Sequence, residues 1–153
     1  MVAVNYSSGD FSTFSVDNEG KLKFIEKKSH KGSSINKDRQ NEPHAHSINF
    51  FNNNNFFVCD LGIDKIIRYT TDSKSKKIIE SNSYKTNPGA GPRHFIIDKE
   101  NNAAYSINEL DSTINFFNIS TDMDLISKQI ISTIPKDYNF ETTTADIHLS
   151  KDK

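Results

Sequence analysis

Short apolar runs alternate with polar turns along most of this chain, and no stretch carries apolar residues at a helical period. The alternation itself repeats. Phe56-Phe57-Val58-Cys59-Asp60-Leu61-Gly62-Ile63-Asp64-Lys65-Ile66-Ile67-Arg68-Tyr69 and Ala104-Tyr105-Ser106-Ile107-Asn108-Glu109-Leu110-Asp111-Ser112-Thr113-Ile114-Asn115-Phe116-Phe117 overlay without a gap at a shift of 48. Met1 to Phe14 fits the same template at a shift of 55. Each copy reads as an apolar strand, a polar turn and a second strand ending in an aromatic residue, which is a hairpin.

Further strands flank the hairpins. His46 to Phe50 and His94 to Ile97 precede the last two copies, separated from them by the polar turns Asn52–Asn55 and Lys99–Asn102. Lys76 to Glu80 and Leu125 to Ile131 follow them. Four short strands in a period near 48 are the mark of a β-propeller blade, so the expected fold class is all-β. At that period 153 residues hold three blades, fewer than the roughly 4 to 8 of closed propellers. The chain begins in a strand at Val2 and runs into another at Asp146-Ile147-His148-Leu149. Residues 1–153 therefore read as a single partial propeller domain, open at both ends, the interior of a longer protein. Its uncovered blade edges should promote self-association.

Composition narrows the partners. A net charge of −1 and a mean hydropathy of −0.66 give no case for a polyanion-binding surface, and no apolar run approaches the roughly 20 residues that span a bilayer. Nucleic acid and membrane are not expected partners. The start Met1-Val2-Ala3-Val4-Asn5 lacks a signal peptide's basic and apolar regions, and Cys59 is the single cysteine, so a cytoplasmic location is expected. The Asn-X-Ser triplets at Asn5 and Asn118 then read as chance in an Asn-rich chain. No Cys/His cluster has metal-ligand spacing, and neither a Gly-X-Ser-X-Gly elbow nor a P-loop is present. No metal and no cofactor is expected.

Three segments carry chemistry: Pro43-His44-Ala45-His46-Ser47, Gly89-Ala90-Gly91-Pro92-Arg93-His94 and Asn108-Glu109-Leu110-Asp111-Ser112-Thr113. They place an imidazole, a guanidinium and a carboxylate at corresponding points of the repeat. Together with Asp60-Leu61-Gly62-Ile63-Asp64-Lys65-Ile66 and Ala145-Asp146-Ile147-His148, in this order, they resemble the lactonase family of seven-bladed β-propellers. That family includes the propeller type of 6-phosphogluconolactonase and the fungal carboxy-muconate cyclising enzyme. The similarity extends through His30-Lys31-Gly32-Ser33 and Ile131-Ser132-Thr133-Ile134-Pro135. It implies a hydrolase that opens 6-phosphogluconolactone to 6-phosphogluconate in the pentose phosphate pathway, with a small anionic lactone as partner. A carboxylated muconolactone is the alternative substrate. The family's catalytic histidine falls in His44-Ala45-His46, its arginine on Arg93 and its glutamate on Glu109. A further family arginine belongs to a later blade, beyond Lys153, which leaves catalysis by this chain alone open.

The residue chemistry is compatible with that implication. Opening a lactone needs a base to activate water, a cation to hold the developing oxyanion, and an acid for the leaving alkoxide. His46 suits the first role, with an imidazole that ordinarily titrates near pH 6.5. Arg93 suits the second, or a substrate phosphate, through its bidentate fork. Glu109 could be the acid, or it could hold Arg93 or His46 in place. His44, Gly91 and His94 are the expected substrate-binding residues, the glycine loop being able to turn backbone N–H groups toward an anion.

Each has a plainer reading. His44 or His46 could link adjacent blades, Arg93 could pair with a structural carboxylate, and Gly89-Ala90-Gly91-Pro92 could be a tight inter-blade connection. His94 and His148, at the starts of successive strands, could share a structural role. A non-catalytic interaction platform and an inactive truncated propeller are the other function classes. The absence of Trp, and with it of the Trp-Asp signature, counts against the WD40 type of platform.

Overall fold

The structure is a computed structural model that describes residues 1–72 and 74–152. Eleven strands are assigned among them, in three antiparallel sheets. The first blade contains β1 (Val2–Asn5), β2 (Asp10–Val16) and β3 (Leu22–Ser29). The second contains β4 (Ala45–Phe50), β5 (Asn55–Asp60), β6 (Lys65–Thr71) and β7 (Ile78–Lys85). The third contains β8 (Pro92–Asp98), β9 (Ala103–Asn108), β10 (Thr113–Ile119) and β11 (Leu125–Ser132). The all-β propeller architecture is as the repeat requires.

Three details depart from the expectation. The first blade has three strands rather than four, because β1 corresponds to β5 and β9 and the described chain offers it no counterpart of β4 or β8. Residues 146–149 form no strand. A strand needs a hydrogen-bonding neighbour, and among the described residues none runs beside them. The run over Lys76–Glu80 is displaced to Ile78–Lys85, since Lys76 takes a left-handed φ of 59° in the preceding turn.

Hairpin turns of identical design join the central strands. Tyr6–Gly9, Leu61–Asp64 and Glu109–Ser112 separate the paired ends Asn5↔Asp10, Asp60↔Lys65 and Asn108↔Thr113. The last residue of each is left-handed, with φ of 57° at Gly9, 54° at Asp64 and 53° at Ser112. Such a turn matches the right-handed twist of the strands it joins. The first residue of each turn is Tyr6, Leu61 or Glu109, so the repeat leaves that position free to vary.

The blades pack face to face, and strand periodicity explains how. All six residues of β5 are buried because the second blade is covered on both sides. Phe56 and Val58 join Phe11, Ile67, Tyr69 and Ile78 against the first blade. Phe57 and Cys59, of opposite parity, join Ile66, Phe95, Ala104, Phe117 and Ile119 against the third. Burial pushes the Cys59 thiol up to about 12, so it serves as a small core residue. The outer strand β11 is exposed along nearly its whole length. β4 packs beside β8 and β1 beside β4, so these innermost strands converge at one edge of the fan.

Candidate active site

His46 and Arg93 occupy the same structural position in successive blades. In the ladder between β4 and β5, Ala45 pairs with Asp60 and Ser47 with Cys59, leaving His46 as an extra residue. In the ladder between β8 and β9, Pro92 pairs with Asn108 and His94 with Ile107, leaving Arg93 extra. Both are β-bulges at the first turn-side end of an innermost strand. A bulge re-aims its side chain without sacrificing the pairing on either side. The sequence overlay aligned His46 with His94; the ladders show that Ser47 is the counterpart of His94.

The third residue comes from a turn. Glu109 leads the β9–β10 hairpin and is buried, and its two oxygens accept from two guanidiniums. Arg93 Nε donates to Oε2 at 3.0 Å and Arg39 Nη2 donates to Oε1 at 2.6 Å. Arg39 was not identified from the sequence, where it lies in the long connection between the first and second blades. Its Nη2 also reaches the Tyr6 hydroxyl at 3.3 Å. Glu109 therefore sits where the structure makes it a holder of both arginines, one of the two arrangements its sequence position left open.

His46 is close to these charges and short of partners. Its Nδ1 is buried with no hydrogen-bond partner among the described residues. Its ring meets His94 at 5.3 Å between centroids and Tyr6 edge-on at 5.5 Å. Burial lowers the His46 pKa below the ordinary 6.5, and the adjacent Arg93 and then His94 lower it further, while Glu109 opposes. His46 is thus a neutral imidazole near pH 7, able to accept a proton.

His44 has a different surrounding. It stacks on Tyr6 at 4.5 Å, its Nδ1 lies 3.0 Å from the Tyr6 carbonyl oxygen, and its backbone N–H donates to Asp60. Asp60 Oδ2 in turn lies 2.5 Å from Nδ1 of His30, whose Nε2 lies 3.0 Å from the Tyr69 hydroxyl. His44 therefore belongs to the seam between the first two blades. His94 Nδ1 lies 2.6 Å from Asp146 Oδ1, and Asp146 Oδ2 lies 2.9 Å from His148 Nε2. The C-terminal segment approaches the site there, with the Ala145 carbonyl accepting from Arg93 Nη1. His94 and His148 thus share a carboxylate rather than equivalent strand positions.

The glycine loop corrects one expectation. Gly89 and Gly91 do turn their N–H groups on an anion, but that anion is Asp64, at 2.7 Å from each. Gln40 Nε2 donates to the same carboxylate at 2.8 Å and the Ser34 hydroxyl completes its shell. Gly91 is thereby removed from direct contact through its amide. Its glycine identity follows from packing, since a Cβ would lie 2.7 Å from Leu110 Cγ at a φ of 65°. Among the described residues no group of three or more His, Cys, Asp or Glu side chains is placed to hold a metal ion.

Antiparallel blades whose innermost strands bring an imidazole beside an arginine–glutamate–arginine cluster define a β-propeller. The chain belongs to the lactonase, 7-bladed β-propeller family, whose model matches residues 1–153. It is 32% identical to a 6-phosphogluconolactonase of Bacillus subtilis over 155 residues, which cover 99% of this chain and 44% of that protein. A Lactobacillus plantarum protein of known crystal structure superposes with a TM-score of 0.91 at 28% identity, over 99% of this chain and 44% of that one. The periplasmic gluconolactonase of Pseudomonas aeruginosa superposes with a TM-score of 0.88 at 27% identity, over 97% and 43%. The chain thus spans less than half the length of these relatives.

Proposed function

We propose that the protein of which this chain is a part hydrolyses 6-phosphogluconolactone. The observation that carries the reading is the buried His46 Nδ1, unpartnered beside an arginine that Glu109 holds. A neutral imidazole can take a proton from water as the water attacks the ring carbonyl. Arg93, held by Glu109 through Nε, stabilises the oxyanion that develops; as that intermediate collapses the ring C–O bond breaks, and the imidazolium of His46 returns its proton to the leaving alkoxide. The Bacillus subtilis relative's name supports the phosphorylated sugar acid as product, and an enzyme of this activity belongs to cytoplasmic carbohydrate metabolism, in the pentose phosphate pathway. His44 and His94 are second to these three, His44 shaping Tyr6 and His94 shaping the wall beside His46.

The test is lactone hydrolysis followed by acid release and corrected for the spontaneous reaction. In the full-length protein Arg93→Ala should lower kcat/KM by a factor of a hundred or more, about 3 kcal/mol, and Arg93→Lys should restore part of it. If Arg93→Ala and Glu109→Gln both leave the rate unchanged, this assignment is wrong. We also propose that the chain alone self-associates through the outer face of the third blade. There Ile96, Tyr105, Ile114 and Phe116 line an open cleft of about 480 Å³. Light scattering that shows only monomer would refute this.

A further inference from the structure

Arg39 is held unlike an ordinary surface arginine. The connection that carries it is fixed on both sides of the residue. Asn36 Oδ1 accepts the backbone N–H groups of Asp38 and Arg39, each at 3.1 Å. Gln40, fully buried, donates through Nε2 to the Leu61 carbonyl and to Asp64, each at 2.8 Å. The Arg39 side chain remains partly exposed, at 39%. One nitrogen, Nη2, serves both Glu109 and Tyr6. No hydrogen bond from Arg39 Nε or Nη1 is seen among the described residues.

We propose that Arg39 receives the phosphate of the substrate while Arg93 serves the ring carbonyl, so that Arg39 sets the preference for phosphorylated over plain sugar acids. This rests on the lactonase reading above. A clamp on Glu109 alone does not account for the arrangement, because Glu109 already accepts from Arg93 at 3.0 Å and the Arg39 side chain is still 39% exposed. A backbone fixed by two anchors behind an open guanidinium is instead pre-organised for an anion. Two guanidiniums against one carboxylate leave this cluster one positive charge in excess, while the neighbouring Asp146 is paired with His94 and His148. The substrate's shape fits. In a six-membered sugar lactone, the carbonyl carbon and the carbon bearing the phosphorylated arm flank the same ring oxygen. The carbonyl and the phosphorylated arm therefore lie on one edge of the ring, and the two arginines are joined by one side chain, Glu109.

Titration calorimetry with 6-phosphogluconate and with gluconate, the stable products, tests this on the full-length protein. The wild type should bind 6-phosphogluconate at least tenfold tighter than gluconate. Arg39→Gln should bring that ratio below threefold, almost wholly through weaker binding of the phosphorylated acid. Arg39→Lys, which keeps the charge, should retain an intermediate ratio and guards against a variant that fails to fold. Arg39→Gln weakening both acids by one common factor would make Arg39 a mere support for Glu109 and overturn the proposal. An unmoved ratio would overturn it as well. A wild type that binds neither acid and opens no lactone would instead remove the lactonase reading, and this inference with it.

Discussion

Two carboxylates in adjacent blades are built from the same hairpin turn and do opposite work. Asp64 ends the turn of the second blade, is fully buried, and takes all its donors from uncharged groups: two glycine amides, one side-chain amide and one hydroxyl. Glu109 begins the turn of the third blade and takes its donors from two arginines whose side chains are partly exposed. The shell of Asp64 is closed, and it ties the connection from the first blade to the connection into the third. The shell of Glu109 is charged and open, and the cations it holds retain donors for something else. A buried anion satisfied by neutral dipoles is a fastening. One satisfied by exposed cations is an instrument.

The largest break in this comparison is Asp64→Ala. It would orphan the amides of Gly89 and Gly91 and the Gln40 side chain, and should cost about 4 kcal/mol by urea unfolding. Glu109→Gln, by contrast, should cost under about 1 kcal/mol in the same experiment, because its partners are partly exposed and screened. Equal losses from the two variants would erase the distinction. Next in size is Gly91→Ala, expected to cost about 2 kcal/mol through its positive φ and the contact with Leu110. If it instead leaves stability intact and alters only ligand affinity, Gly91 belongs to the site after all.

The smallest effect sharpens the electrostatic side. The His46 imidazole is depressed below 6.5 by burial first and by Arg93 second, so the unfolded chain takes up its proton at a higher pH than the folded one. Stability from this group is therefore full above about 6.5 and declines as pH falls through that value toward the folded pKa. NMR titration of the His46 ring should show a midpoint below 6.5, and Arg93→Gln should move it upward. A midpoint at or above the ordinary value would remove the neutral base from the mechanism.

Much of the architecture was legible because propellers repeat. The 48-residue shift located the hairpins, and the variable lead position of the turn singled out Glu109 against Leu61 and Tyr6. What the overlay could not register was a bulge. A gapless alignment equates His46 with His94, and only the ladder reveals the single extra residue that equates it with Arg93. Arg39 escaped for another reason: it lies in a connection with no counterpart of equal length in the next blade, so the repeat provides no contrast there. The available signal was the neighbouring Gln40, a long polar residue ahead of an apolar strand. The glycine loop reads from sequence either as a nest for a substrate anion or as a tight inter-blade connection; its amides hold the chain's own Asp64, a distant pairing that local pattern does not reveal.

The bulges at His46 and Arg93 bear on how such a protein can acquire new chemistry. Neither residue takes a place in the ladder, and the pairs on either side close around each of them. Exchanging what stands there leaves strand register untouched. Blade duplication therefore copies a vacant socket along with the scaffold, and each copy can be filled independently, here once by an imidazole and once by a guanidinium. Divergence of substrate preference within such a lineage needs no new fold and no rearranged core, only a different side chain in a position that the sheet does not use.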